Sequence, residues 1–424
     1  MYLYNIKHLI FFFSTFFISI FLIISQIINQ SNMLSWVSLA ISLCFLVISN
    51  FLFKEKVIHL FVLYLYHYMF IFSIFVKPEY LSQNIIVNNY WPFILLPVLC
   101  YLIIIPFIFL KRENLDFLIK NKNIDIVIII LFPFIVFSFL YLLPHTFNTF
   151  LYGAESIRLG GVSNSDYFTL PPNNLTTLAV GVSLFYPFYL FFLFQQMVSG
   201  GKFYLKMILV LGVLTGMVGG LVFAGRDRFI FLLFYLIFFY WYWLPYINEN
   251  LIKKIKKIIK IFFLICFIIF SWISYDRFSD NFIRSSLFYY GAQPYIFAEI
   301  YERNIIHNMS YIYPIIFEGK DNIIRSEAIY WTWGTLYQNL YLSGGVWFCI
   351  FFALFNNIAG SIFFNAGHKM KYIYIAFVIL YFHVVSTGVF YYHLGFPGGN
   401  NYIFSVLFIG MFLFILSKVS FKNV

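Results

Sequence analysis

The sequence predicts an all-α polytopic membrane protein of about twelve transmembrane helices, joined on one side by two long external loops. The first observation is compositional: 62% of the residues are hydrophobic, 10% are charged and the mean hydropathy is +0.87. Soluble globular chains carry about 25% charged residues. The second is that nearly charge-free runs of about 20 residues, the length that crosses a bilayer core, recur along the chain. We therefore treat 1–424 as one integral membrane domain.

Polar breaks divide the chain into the predicted spans. The first span follows "MYLYNIKH" and is longer than a signal-peptide core, with no A-x-A-like cleavage site, so we interpret it as a retained helix. The four cysteines all fall inside apolar runs, without the spacing of a disulfide or a metal site. The spans lie near 9–29, 33–53, 57–76, 91–110, 124–144, 176–198, 207–223, 229–247, 259–275, 340–363, 372–390 and 401–417.

The basic residues set the orientation, because Lys and Arg are retained in short cytoplasmic loops. With both termini cytoplasmic, every cytoplasmic connection is basic. The net charge of +11 then reflects topology and does not indicate nucleic-acid binding. Of the 27 basic residues, eighteen fall inside: Lys7, Lys54, Lys56, Lys111, Arg112, Lys120, Lys122, Lys202, Lys206, Lys253, Lys254, Lys256, Lys257, Lys260, Lys369, Lys371, Lys418 and Lys422.

The two sides differ in the kind of basic residue. Seventeen of the eighteen internal ones are Lys, whereas seven of the nine external ones are Arg. Retention needs only charge, but the guanidinium fork of Arg also binds phosphate or carboxylate in a bidentate manner. The external arginines therefore predict anion binding. Pairing with the eleven external acids, or with lipid headgroups, stays open as the alternative for any single Arg.

Two external connections are long, and long connections in compact folds are usually functional. They cover 145–175 and 276–339. We take their titratable and cationic side chains as site candidates: Arg158 in the first, and Asp276, Arg277, Arg284, Glu299, His307 and Glu327 in the second.

The stretch "LVFAGRDRFIFLL" (221–233) places Arg226, Asp227 and Arg228 between two apolar runs. The preceding span is rich in glycine, which lets helices approach closely, so we expect it to be central in the bundle. Asp227 can neutralise one neighbouring Arg but not both. Charges at such a helix end predict a polar cavity with Arg226 as an anion ligand. The alternative is an interfacial turn whose arginines contact lipid phosphates.

Three segments carry a family resemblance: "TGMVGGLVFAGRDRF" (215–229), "SLFYYGAQPYIFAEIYER" (286–303) and "WGTLYQNLYLSGGVWF" (333–348). Together they resemble the O-antigen polymerase (oligosaccharide repeat-unit polymerase) family of bacterial inner membranes. The resemblance covers the organisation of nearly the whole chain. It implies a multi-pass inner-membrane enzyme whose substrate is an oligosaccharide repeat on undecaprenyl pyrophosphate. The enzyme transfers the growing chain onto a new lipid-linked repeat at the periplasmic face, and both long loops are then periplasmic.

The resemblance also implies roles for individual residues. Arg226 matches the arginine of the family's turn, with Arg228 beside it, and Arg284 matches an arginine early in the long loop, with Arg277 as its alternative. Arg158 is carried only by its place in the earlier loop. These five would bind the pyrophosphate. No motif assigns the general base, for which Glu299, Asp276, His307 and Glu327 are the candidates. Whether a chain-length regulator is a further partner stays open.

Two neighbouring functions are alternatives. An O-antigen ligase of similar architecture typically carries a His about ten residues before the Gly that opens the helix after the long loop, where this chain has Gly334 and Thr335. A flippase for the same lipid tends to have short loops and charges at the midplane. Here His67 and His383 are the main titratable groups within spans, and each is as well explained as a satisfied buried histidine.

A metal-dependent lipid-linked glycosyltransferase would carry an acidic residue in the first external loop. The loop "NQSNM" has none, and no D-x-D pair occurs in the chain. Carboxylates are the ligands that Mg²⁺ and Mn²⁺ require. We therefore expect no cofactor and no metal.

Overall fold

In the computed structural model, most of the described residues are helical. The described residues are 2–28, 34–76, 89–112, 115–119, 123–153, 170–171, 173–223, 225, 227–278, 290–302, 307–313, 316–317, 334–366, 371–395 and 397–418, and none of them forms a β-strand. The helices are α1 Tyr2–Ile28, α2 Ser35–Leu52, α3 Val57–Ser73, α4 Trp91–Ile104, α5 Asp116–Ile119, α6 Asn123–Tyr152, α7 Asn174–Leu184, α8 Tyr186–Val198, α9 Phe203–Leu221, α10 Asp227–Trp243, α11 Glu249–Phe278, α12 Gln293–Glu302, α13 Leu336–Ala366, α14 Lys371–Thr387 and α15 Pro397–Lys418.

Every predicted span coincides with a helix or a helix pair, and eight of these helices are long and apolar enough to cross a membrane. They are α1, α2, α4 with its 3₁₀ continuation, α6, α9, α10, α11 and α13. The pair α7 and α8 adds a ninth crossing if the two form one bent span. Three apolar helices, α3, α14 and α15, have only 10–17 qualifying residues. The chain is thus a helical protein with several membrane-spanning helices, and twelve crossings remain a prediction.

The predicted loop boundaries needed correction. The loop expected from 145 begins later, because α6 continues through Pro144 to Tyr152. A proline inside a transmembrane helix removes one hydrogen bond, which neighbouring groups replace, so it need not end the helix. The loop expected at 276–339 is also shorter at both ends, since α11 reaches Phe278 and α13 begins at Leu336. Helix α12 lies within it.

The chain divides into two compact units. The first contains residues 1–110, 283–366 and 381–397. Its central element is α4, which packs against α2, α3, α12 and α13. The side chain of His67, on α3, joins α1 and α2: its two ring nitrogens each lie 2.9 Å from a serine hydroxyl, those of Ser19 and Ser42. His67 is therefore a satisfied buried histidine, one of the two interpretations that the sequence allowed.

The second unit contains residues 111–282, 367–380 and 398–424, with α9 in contact with α6, α7, α8 and α10. The glycines of α9 explain its place. A Cβ on Gly212 would lie 2.6 Å from the Tyr189 ring, and one on Gly216 would lie 2.5 Å from Cβ of Tyr186. Larger residues would push α8 away, so the expectation that this helix packs closely within a bundle is confirmed for this unit.

Candidate functional site

Of the nine predicted site residues, the side chains of three are described: Arg228, Glu299 and His307. Asp276 and Arg277 belong to the last turn of α11, but their side chains lie outside the described ones. Arg228 belongs to the second unit, and Glu299 and His307 belong to the first. Outside the described residues lie Arg158, Arg226, Arg284 and Glu327.

Arg228 is a buried cation in the first turn of α10, with 6% of its surface exposed. Its Nη1 donates to the hydroxyl of Ser183, at 2.8 Å, and to the carbonyl of Gly216, at 3.1 Å. A guanidinium in an apolar surrounding is costly unless its N–H groups are hydrogen-bonded. The N-terminal end of a helix also disfavours positive charge. This position therefore requires an explanation beyond retention of charge.

Two glycines of α9 leave room for the guanidinium of Arg228. A Cβ on Gly219 would lie 2.5 Å from both Nη1 of Arg228 and the Ser183 hydroxyl. On Gly220 it would lie 3.1 Å from Cβ and Cδ of Arg228. The side chain of Arg228 thus lies flat on two glycines, and its direction is fixed by packing as well as by hydrogen bonds.

The same guanidinium lies beside a break in a membrane helix. Helices α7 and α8 meet at Phe185 with a bend of 43°. The Ser183 hydroxyl, which accepts from Arg228, donates to the carbonyl of Val180 at 2.7 Å. Interrupted helices at membrane depth occur where other groups satisfy the freed backbone. We call the residues Ser183, Phe185, Gly216, Gly219 and Arg228 the arginine break.

Tyr186, the first residue of α8, has a buried hydroxyl with no hydrogen-bond partner among the described residues. Its ring packs on Tyr235 with the centroids 5.7 Å apart. An unpaired buried hydroxyl is destabilising by about 1–3 kcal/mol. A polar group without a hydrogen-bond partner among the described residues thus lies directly beside the arginine break, at the residue after Phe185.

The first unit has its own broken helix. Within α13, Gly344 (φ −159°, ψ 18°) and Gly345 (φ 72°, ψ −167°) leave the helical conformation. The conformation of Gly345 is essentially restricted to glycine. Residues 346–366 form a helix roughly 30 Å long, enough to cross the bilayer core alone. Trp347, at the start of this helix, is 78% exposed, and tryptophan is enriched at membrane–water interfaces.

His307 lies against this break. Its Nε2 is 3.0 Å from the place where a Cβ on Gly345 would stand, and its ring meets that of Tyr341 edge to face at 5.3 Å. The next backbone N–H, of Asn308, donates to the Leu342 carbonyl at 3.0 Å. That carbonyl belongs to the last turn before the break, where carbonyls lack helical partners. The segment at 307–313 therefore caps the first half of α13.

Tyr341 connects the break to α12. Its hydroxyl donates to the Tyr301 carbonyl at 3.2 Å, and its ring contacts those of Phe297 and Tyr301. The same short helix carries Glu299, whose side chain is 5% exposed. Two of the base candidates, His307 and Glu299, thus lie on segments that meet at one tyrosine. We call Glu299, His307, Tyr341, Gly344 and Gly345 the glycine break.

Sequence reasoning missed a histidine pair in the first unit. Nε2 of His383, on α14, lies 2.8 Å from Nδ1 of His393, and both rings are buried. His383 stood out in the sequence only as a titratable group within a span. The turn at Gly388 ends α14 shortly before His393 and was the available sign that the chain folds back. The Gly388 carbonyl accepts a hydrogen bond from the backbone N–H of Leu336 at the start of α13.

Among the residues that the structure describes, no three His, Cys, Asp or Glu side chains are grouped closely enough to hold a metal ion. Comparison with protein families, with characterised proteins and with solved structures finds no match for this chain. The two helix breaks and the motifs quoted above are therefore the features that bear on function.

Proposed function

We propose that the chain is a metal-independent membrane glycosyltransferase that polymerises undecaprenyl-pyrophosphate-linked oligosaccharide repeats at the periplasmic face of the bacterial inner membrane. One observation carries the proposal: Arg228 is held in a fixed direction by Ser183 and Gly216 beside a helix break. Preorganised cationic donors stabilise a leaving group that gains negative charge. The resemblance of the surrounding turn to the O-antigen polymerases supplies the identity of that leaving group.

In the proposed reaction, a hydroxyl of the non-reducing-end sugar attacks the anomeric carbon of the growing chain. The bond from that carbon to the pyrophosphate oxygen breaks, and its electron pair leaves with undecaprenyl pyrophosphate. The hydroxyl proton passes to a base, for which Glu299, Asp276, His307 and Glu327 stay the candidates that the sequence supplies. Arg226, Arg284, Arg277 and Arg158 are proposed to assist Arg228 at the pyrophosphate.

A ligase remains the second candidate, because of one contact. Ligases typically carry a histidine about ten residues before the glycine that opens the helix after the long loop. Here His307 lies much farther back in the sequence, but its side chain reaches Gly345. A ligase would use the same lipid-linked donor but transfer the finished polymer to a lipid acceptor. The contact therefore weakens the distinction that the sequence spacing alone suggested.

Deletion of the gene separates the functions by what accumulates. Loss of a polymerase leaves surface lipid with a single repeat, and loss of a ligase leaves long polymer on undecaprenyl pyrophosphate. Loss of a flippase leaves no repeat-bearing lipid at the outer face. The proposal predicts the single repeat, restored to a ladder by wild type and not by Arg226→Lys or Arg284→Lys at equal membrane levels. Either other phenotype replaces it.

A further inference from the structure

Helix α11 is longer than a bilayer core. Its 30 residues correspond to about 45 Å, against a hydrocarbon thickness of about 30 Å. The charge-free part, 261–275, occupies its second half. The first dozen residues, 249–260, therefore extend out of the core at the end that the basic residues predict to be cytoplasmic.

This extension has two faces. At roughly 100° per residue, five lysines share one half of the helix circumference, and isoleucines and a leucine occupy the other. The apolar half includes Ile255, which is 3% exposed. All five lysines are exposed, and we call them the lysine face: Lys253, Lys254, Lys256, Lys257 and Lys260.

The lysines at the start of α11 are more closely spaced than retention of a cytoplasmic connection requires. Glu249 is the nearest acid along the helix, and none occurs from 250 to 275. Like charges three and four residues apart repel one another. The start of α9, by contrast, carries only Lys202, just before the helix, and Lys206, within its first turn. Five lysines in eight residues are therefore unfavourable for the isolated helix and require counter-charge from outside it.

We propose that the lysine face binds the phosphate groups of anionic phospholipids in the leaflet that surrounds the start of α11. Clusters of four to eight lysines on an amphipathic segment next to a span bind such headgroups. The helix continues into exposed apolar side chains, Ile261, Phe263 and Leu264, that offer a surface for the acyl chains. Headgroup and chain contacts thus lie on one continuous helix, which they hold at a fixed depth.

Native mass spectrometry of the purified full-length protein tests this directly. The protein is released from detergent after incubation with phosphatidylglycerol or with phosphatidylcholine, and the retained lipids are counted. Wild type is expected to retain phosphatidylglycerol preferentially. Replacing all five lysines by Gln is expected to lower that retention about tenfold or more. Replacing all five by Arg keeps the charge and is expected to preserve it.

The control removes four charges elsewhere on the same predicted side, through Lys54→Gln, Lys56→Gln, Lys202→Gln and Lys206→Gln, and is expected to change retention little. The preference of wild type is also expected to fall at 1 M salt, which screens exposed charges. Equal retention of the two lipids by wild type contradicts the proposal. So does an unchanged five-Gln variant, a control that loses as much, or a preference that salt does not reduce.

Discussion

The arginine break and the glycine break interrupt membrane helices in different ways. At the first, the residue between α7 and α8, Phe185, keeps an ordinary backbone (φ −76°, ψ 3°), and a charged side chain bonds to the helix end. At the second, Gly345 adopts a conformation that needs the absence of a Cβ, and the backbone N–H of Asn308 caps the open carbonyl. The arginine break depends on a charged side chain, whereas the glycine break depends on the absence of a Cβ at Gly345.

The two breaks differ in the chemical task that each suits. A cation locked by Ser183 and Gly216 suits a charge that must be stabilised without movement. An exposed imidazole beside a glycine turn suits a proton that must be accepted and released. The arginine break should therefore be sensitive to changes of the guanidinium, and the glycine break to any added Cβ.

The largest effect is expected for the base. His307→Gln should reduce polymer formation by about 10²–10⁴-fold, the usual contribution of a general base. The side chain is exposed, so thermal stability should hardly change. Polymer is measured with purified protein and lipid-linked repeats, and His145→Gln serves as the matched control. If Glu299→Gln abolishes polymerisation instead, the base moves to α12; if neither variant does, the base is elsewhere.

A Cβ at the glycine break should unfold it more readily. Gly345→Ala places Ala at φ 72° and ψ −167°, with its Cβ 3.0 Å from Nε2 of His307, and should be destabilising by about 1–3 kcal/mol. The thermal midpoint in detergent measures this. Gly345→Ala combined with His307→Ala should recover only part of the loss, because backbone strain persists. Full recovery would show that the glycine serves only to avoid the imidazole.

A Cβ added at the arginine break should be destabilising because it clashes with neighbouring atoms, and not because it strains the backbone. Gly219→Ala would place its Cβ 2.5 Å from both Nη1 of Arg228 and the Ser183 hydroxyl, and overpacking of this kind is destabilising by about 1–3 kcal/mol. It should also shorten the polysaccharide ladder. The matched control is Gly181→Ala, whose Cβ would meet nothing within 4 Å. Equal melting behaviour of the two variants would argue against the close approach.

The smallest effects separate two tyrosine hydroxyls. Tyr341→Phe at the glycine break loses the hydrogen bond to the Tyr301 carbonyl and should be destabilising by about 1 kcal/mol. Tyr186→Phe removes a buried hydroxyl that has no partner among the described residues, so stability should stay constant or rise. Both are read from thermal midpoints. A loss at Tyr186 as large as that at Tyr341 would mean that its hydroxyl is bonded.

The positions of most helices could be predicted, because the length of an apolar run is enough to indicate a membrane span. The run near 176–198 was predicted as one span, since no polar residue marks the bend at Phe185. Pro187, in the first turn of α8, was the available signal. The predicted span near 340–363 includes Gly344 and Gly345, but the same glycine pair was also expected to open the helix after the long loop. The structure agrees with that second expectation, because the uninterrupted helix covers 346–366. The length of an apolar run predicts a membrane span, but it does not predict where the backbone bends within that span.

The sites were less accessible to sequence reasoning. Arg228 was a candidate, but its bond to Ser183 joins residues 45 positions apart, and local patterns carry no such information. The contact between His307 and Gly345 arises because the intervening chain returns to the helix that it precedes. The sequence indicated which residue types were available in the loops. Which of them meet depends on packing between elements.

We propose that Arg228 acts as a directed anion donor and not as a simple positive charge. The most direct measurement is the surface-polysaccharide ladder of a deletion strain carrying Arg228→Lys, at membrane levels matched to wild type by blot. Arg112→Lys is the control, since Arg112 also bonds a backbone carbonyl, that of Trp241, at the other end of α10. We predict collapse to a single repeat for Arg228→Lys and a full ladder for Arg112→Lys. A full ladder for both would contradict the account.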